Sequence, residues 1–132
     1  IKELGIYKNF KWLGRLEYPD KVREYLNGID VYALITGMDL APLTLKEAQL
    51  MEKPVVATDV GGVGEMMSDK KTGFLIKEGD HVDLINKLSV LLEDKNLVEQ
   101  MGIEGRKFVE NTFSWDKIAM NFVDAAKLYV KI

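Results

Sequence analysis

The sequence contains no cysteine, a single histidine at position 81 and only three prolines. Without cysteine there is no disulfide framework and no thiolate metal site, and such usage fits an intracellular compartment. One histidine supplies no set of imidazoles for zinc, and no metal is expected. No apolar run approaches the roughly 18 residues of a membrane-spanning helix, and the first ten residues lack the apolar stretch of a signal peptide. The expectation is a cytoplasmic protein, with peripheral contact to a membrane left open. Position 1 is Ile rather than Met, which makes a segment of something longer the expectation. An excess of positive charge is also lacking. Lys and Arg number 18 against 21 Asp and Glu, a formal charge of -3, so nucleic acid is not an expected partner.

What is present suits one globular domain over residues 1–132, since 47% hydrophobic and 30% charged residues allow a real core. Four short apolar, β-prone runs alternate with helical patterns: FKWL (10–13), IDVYALI (29–35), PVVAT (54–58) and GFLI (73–76). That alternation predicts an α/β fold, a Rossmann-like parallel sheet of about four strands with helices on both faces. Asp20 is a candidate helix cap, Val22, Tyr25 and Leu26 an inner stripe, and Gly28 a stop. Pro42 suits a first helical position, in a helix running to about Glu52 ahead of Pro54. After the fourth run the chain turns wholly helical. Asp80 caps a helix with Leu84, Ile85, Leu88, Leu91 and Leu92 at amphipathic spacing. A bent or short helix is expected at about 95–111 because of Gly102 and Gly105. Ser114 caps a last helix reaching Ile132, whose inner face would carry Ile118, Phe122, Ala126 and Tyr129.

Two acidic residues, Asp39 and Glu47, frame the stretch DLAPLTLKE. On a helix begun at Pro42, Glu47 shares the face of Leu43, Leu50 and Met51, whereas Lys46, Gln49 and Lys53 mark the solvent side. A carboxylate on a covered face is costly unless amides, a base or ligand hydroxyls donate to it. A structural Glu held at the sheet edge and a ligand-binding Glu both satisfy that condition. The turn TGMDLAPL, with Gly37, joins a strand end to a helix start, and crevices beyond strand carboxyl ends are where open parallel sheets bind ligands. The first-turn amides of Leu43 and Thr44 favour an anion such as phosphate. Gly61, Gly62 and Gly64 after the next strand allow backbone to approach a ligand closely. Neither a dinucleotide fingerprint nor a Walker lysine motif is present.

Taken in order, FKWLG, the acidic turn, LKEAQLMEKPVVATDVGG, DKKTGFLIKEGD and ENTFSWDKIA resemble the C-terminal domain of retaining GT-B glycosyltransferases. These form the large group-1 family with a Glu-x7-Glu motif, here Asp-x7-Glu, and the likeness covers nearly the whole chain. The resemblance implies a partial nucleotide-sugar-binding domain. Glu47 then matches the Glu that accepts hydrogen bonds from the donor's ribose, and Asp39 matches the Glu that contacts the transferring sugar, one methylene shorter. Amides of Leu40, Ala41 and Leu43 correspond to donors for the sugar and the diphosphate, although the family's frequent Gly-Phe is Leu40-Ala41 here. Gly14, with Leu13 and Arg15, resembles the loop beside the nucleobase.

The resemblance further implies a nucleotide-sugar donor as substrate, no cofactor and no metal. It implies front-face attack assisted by the leaving phosphate, which depends on positioning and charge stabilisation rather than on a protein nucleophile. The family's diphosphate-neutralising Arg and Lys belong to an earlier strand and helix, and the saccharide, lipid-linked or small-molecule acceptor is met by an N-terminal domain. The 132 residues alone are therefore not expected to turn over. Two rivals stand beside this reading. One is a non-catalytic nucleotide-sugar binding or assembly module; the other is a receiver-like signalling domain, for which FKWLGRLE is a poor acidic site.

Overall fold

The computed structural model describes residues 3–130. Three strands, β1 (Tyr32–Leu34), β2 (Val55–Thr58) and β3 (Gly73–Ile76), form one parallel sheet in the order β1-β2-β3. Tyr32 lies opposite Val55, and Val55 opposite Gly73. Helix α1 (Asp20–Asn27) precedes β1, and α2 (Leu43–Leu50) connects β1 to β2. Helices α3 (His81–Glu93), α4 (Lys95–Phe113) and α5 (Trp115–Tyr129) follow β3. Short 3-10 turns occupy Tyr7–Asn9 and Val63–Met66.

The expected α/β fold with a parallel sheet is what the chain adopts. All four residues of β2 are buried, as its run of Val, Val, Ala and Thr dictates for a strand covered on both faces. Val55 and Ala57 join Leu26, Leu45, Ala48, Val63, Met66 and Met67 on one face. Val56 points the other way, into a second cluster with Phe74, Ile76, Leu91 and Met101. The period of two along one strand thus divides the core into two layers.

Several expectations are corrected. The first apolar run, 10–13, joins no strand among the described residues. It is open to solvent, with Trp12 72% exposed, and its Phe10 and Trp12 rings stack on each other at 6.4 Å. A β-prone run becomes a strand only where a neighbour supplies hydrogen bonds, and among the described residues the strand beside β1 is β2 alone. Asp20 is the first helical residue rather than the cap of α1, which Pro19 occupies with no side-chain hydrogen bond. Tyr25 is half exposed, off the inner stripe it was assigned to. Pro42 is likewise the cap of α2, not its first turn, and α2 ends at Leu50 because Glu52 turns left-handed at φ 57°.

The longest helix is α4, unbroken over 19 residues where a bent or short one was expected. Its glycines make the helix fit. A Cβ on Gly102 would stand 2.1 Å from the carbonyl oxygen of Glu52, and one on Gly105 would stand 3.2 Å from Gln49 Cγ. The two glycines therefore form the flat surface against which α2 packs.

The Asp80 and Ser114 caps form as expected, accepting from the amides of Asp83 and Lys117. Ile85 and Leu92 of α3 are exposed, as are Ile118, Phe122 and Tyr129 of α5. Within the described residues α5 buries no side chain, so its apolar stripe is no inner face in this chain. The expected end of that helix at residues 131 and 132 lies outside the described residues. Among the described residues no helix is long and apolar enough to cross a membrane.

Candidate functional site

Two loops leave the carboxyl ends of neighbouring strands and lock together. The Thr36 amide donates to Thr58 Oγ1 at 3.0 Å, and the Thr58 hydroxyl donates back to the Thr36 carbonyl. Beyond this clasp the Gly62 amide donates to the Asp39 carbonyl at 3.0 Å. A Cβ on Gly61 would lie 2.2 Å from the Asp39 oxygen, and one on Gly62 would lie 2.0 Å from the Leu40 oxygen. Gly61 also has φ 54°, which a side chain resists. What these glycines admit is thus the chain's own backbone from the turn carrying Asp39, where sequence reasoning assigned them to a ligand.

Asp39 is half buried, and its Oδ1 accepts from the Ala41 amide at 3.2 Å. The short carboxylate therefore closes its own turn, and the Ala41 amide, an expected ligand donor, is engaged by it. Gly37 lies under Glu78, whose Oε1 is 3.0 Å from where a Cβ would be. Leu40 is exposed. Pro42 then starts α2 in extended conformation, and no side chain caps that helix. The amide groups of its first turn, Leu43 and Thr44 included, belong to the four that an α-helix leaves without intrahelical partners. Both residues are exposed.

The faces of α2 differ from expectation. Leu45, Ala48 and Gln49 are the buried residues, while Leu43 is 67% and Leu50 39% exposed. Gln49, expected on the solvent side, is fully enclosed, with Nε2 donating to the carbonyls of Met66 at 2.8 Å and Leu45 at 3.2 Å. Among the described residues its Oε1 has no hydrogen-bond partner. The reason is tertiary. Helix α2 packs against α4 through Gly105, and that contact selects the Ala48–Gln49 face over the more apolar one.

Glu47 is accordingly not on a covered face. It is half exposed and stands in the wall of a groove between α1 and α2 with a cavity volume of about 380 Å³. Leu50 and Met51 continue that wall, and Tyr18, Pro19, Val22, Arg23 and Leu26 form the opposite one. Glu47 comes four residues after Leu43, about 6 Å along the axis at 1.5 Å per residue. Glu47 therefore stands one helical turn beyond the open start of α2, which follows the turn holding Asp39.

Asp39, Leu40, Ala41, Gly61 and Gly62 are therefore brought together in the interlocked loops, with Gly37 at their edge and Leu43 and Thr44 at the helix start. Glu47 sits one turn further on. Gly14 is separate from them in its contacts, at φ 65° with nothing within 4 Å of where a Cβ would stand. Sequence reasoning missed Pro19 and Arg23. The available signal was the spacing 19, 22, 23, 26, an i, i+3, i+4, i+7 stripe in which Arg23 interrupts an otherwise apolar face.

Open parallel α/β sheets bind ligands in the crevice beyond the carboxyl ends of their strands, where the exposed start of α2 lies. The family of glycosyl transferases group 1 matches residues 1–108, and the chain belongs to that family. Trehalose synthase from Thermococcus litoralis is 38% identical over 126 residues, covering 94% of this chain and 30% of that protein. The chain thus spans under a third of the length of that curated relative. Sucrose-phosphate synthase from Thermosynechococcus elongatus superposes with a TM-score of 0.85 at 23% identity, over 97% of this chain and 32% of that one. Anabaena Alr3699/HepE, solved in complex with UDP-glucose, gives 0.80 at 24% identity, over 97% and 34%. These likenesses show the Rossmann-like fold of GT-B glycosyltransferases.

Proposed function

We propose that the chain is the donor-binding part of a glycosyltransferase that moves a sugar from a nucleotide-sugar to an acceptor with retention of configuration. The observation that carries this reading is the position of Glu47, in a 380 Å³ groove one turn beyond the uncapped start of α2. That volume falls within the roughly 300–1,000 Å³ of small-molecule sites. The diphosphate lies at the α2 N-terminus, where the amides of Leu43 and Thr44 and the helix dipole favour negative charge. The ribose diol donates to Glu47. The sugar extends over the turn of Asp39 and Leu40, and the Gly61–Gly62 loop keeps that turn in place from beneath. UDP-glucose in the HepE structure is a ligand of the expected kind. The acceptor, a saccharide, a lipid-linked glycan or a small molecule, is met by the rest of the whole protein, and no metal is required. The setting is the cytoplasm.

A second reading, a nucleotide-sugar-binding module without turnover, is favoured by the Asp39 carboxylate, which is turned back onto the Ala41 amide rather than outward. One experiment tests both. UDP-, GDP- and ADP-sugars are titrated against the full-length protein and its Glu47→Gln variant, and release of nucleotide is followed with acceptors of each class. Binding weakened by Glu47→Gln, with transfer, is the expected result. Binding without transfer selects the second reading; binding indifferent to Glu47 removes its assigned role.

A further inference from the structure

Among the described residues Arg23 is the one cationic side chain lining the α1–α2 groove, on the wall opposite Glu47, with Val22, Leu26, Leu50 and Met51 between them. We propose that Arg23 reads the nucleobase of the bound nucleotide and restricts it to guanine or uracil. The inference rests on the donor-binding reading of Glu47 and names the class of nucleotide.

A nucleoside has three chemically distinct parts, and the groove offers a match for each. The ribose diol supplies hydroxyl donors, which a carboxylate accepts. The flat faces of the base are apolar enough to lie between Pro19 and the aliphatic side chains. The outer edge of the base then points away from the ribose, across the groove from Glu47, towards Arg23. At that edge guanine presents O6 beside N7 and uracil presents O4, all acceptors, whereas adenine presents its N6 amino group beside N7 and cytosine its N4 amino group. A guanidinium has five N–H donors and no acceptor, so it bonds the oxo edge and leaves an amino edge facing a like donor. Discrimination then comes both from the gained bond and from the mismatch.

Arg23 is free to take this role. Its side chain is 62% exposed, and among the described residues its one ionic partner is Asp20, at 3.3 Å with 91% exposure. An exposed pair of that kind contributes little and is readily exchanged for a base edge. Lys21, the nearest other cation on α1, is engaged by Glu24 at 2.7 Å and borders a different cavity, with Gly28 and Ile29.

The test is calorimetric titration of the full-length protein with GDP, UDP, ADP and CDP, repeated on Glu47→Gln, Arg23→Gln and Arg23→Glu. The wild type is expected to bind GDP or UDP about tenfold more tightly than ADP and CDP, within what an arginine–base contact yields. Arg23→Gln, which both donates and accepts, should bring the four nucleotides towards parity. Arg23→Glu, which only accepts, should favour ADP and CDP. If the ranking is unchanged in both Arg23 variants while Glu47→Gln weakens all four, the base-reading role is overturned and the donor reading stands. If none of the four binds the wild type, or binding ignores Glu47, the donor reading falls and this inference with it.

Discussion

The Gly62 amide holds the Asp39 carbonyl at 3.0 Å, so the loop after β2 positions the turn after β1 through backbone alone. Nothing in that bond depends on the side chain at 39. The Asp39 carboxylate makes a separate bond within the turn, accepting from the Ala41 amide at 3.2 Å. Loop position and acid reach are separately adjustable in this fold.

A side chain at position 61 or 62 should break this arrangement. Gly62→Ala drives a Cβ against the Leu40 carbonyl, an overlap with backbone that costs about 1–3 kcal/mol if the loops separate. Gly61→Ala adds roughly 1 kcal/mol of left-handed strain. Chemical denaturation measures the loss, and amide shifts confined to residues 36–42 and 59–64 would locate it. Asp39→Ala should leave the Gly62 bond intact.

Replacing a glycine inside α4 and the glycine that ends α1 should have opposite signs. Gly102→Ala gains up to about 1 kcal/mol of helix propensity. It also places a Cβ 2.1 Å from the Glu52 carbonyl, and that clash with backbone wins, for a net loss of about 1–2 kcal/mol. Gly28 has φ -84° and ordinary contacts of 3.6 Å at its Cβ position. Gly28→Ala should be neutral or stabilise by up to about 1 kcal/mol. Urea midpoints of the two variants, measured side by side, check the contrast.

Gln49 should tolerate loss of polarity better than gain of charge. Gln49→Met removes the unpartnered Oε1 as well as the bonds to Met66 and Leu45, for a cost of about 1 kcal/mol. Gln49→Glu places a carboxylate in a fully enclosed position beside two carbonyls, costing on the order of 3 kcal/mol at pH 7. Burial raises the pKa of such a group in the folded state, so the variant should recover stability as the pH falls. Denaturation midpoints of Gln49→Glu at pH 7 and pH 5 test the sign.

Glu104 accepts from Lys107 at 2.9 Å and pairs with Lys71 at 3.3 Å. Hydrogen bonding by Lys107, then by Lys71, holds its carboxyl below the ordinary value of 4.5. A depressed folded pKa contributes stability above the ordinary value and loses it as the pH falls through the folded one. Glu104→Gln should therefore flatten the acid limb of the stability curve below about pH 4.5, with the variant losing less than the wild type on acidification. Urea midpoints between pH 7 and pH 3 provide the comparison.

Local chemistry explains why much of this was legible in residue order. Val55 to Thr58 forms a strand buried on both faces because its β-branched run allows nothing else so well. Asp80 and Ser114 announce helix starts because their side chains reach amides three residues on. The ordered motifs from FKWLG to DKKTGFLIKEGD likewise lie within residues 1–108, which match the family.

Other features were decided only when the elements met. Helix α2 has leucines at 43, 45 and 50, which point in different directions, so its pattern could not say which face would be covered. Gly102 and Gly105 looked like breaks in α4 and became its packing surface, because a missing Cβ weakens a helix in isolation yet permits close approach to another element. Arg23 and Glu47, 24 positions apart, share a groove through the placement of two helices on one face of the sheet. Residue order determined the parallel α/β architecture, the main helix starts and the candidate acids, since these depend on interactions within a few residues. Tertiary structure alone decided which helix faces were buried and which distant side chains met, since those depend on interhelical contacts that no local period encodes.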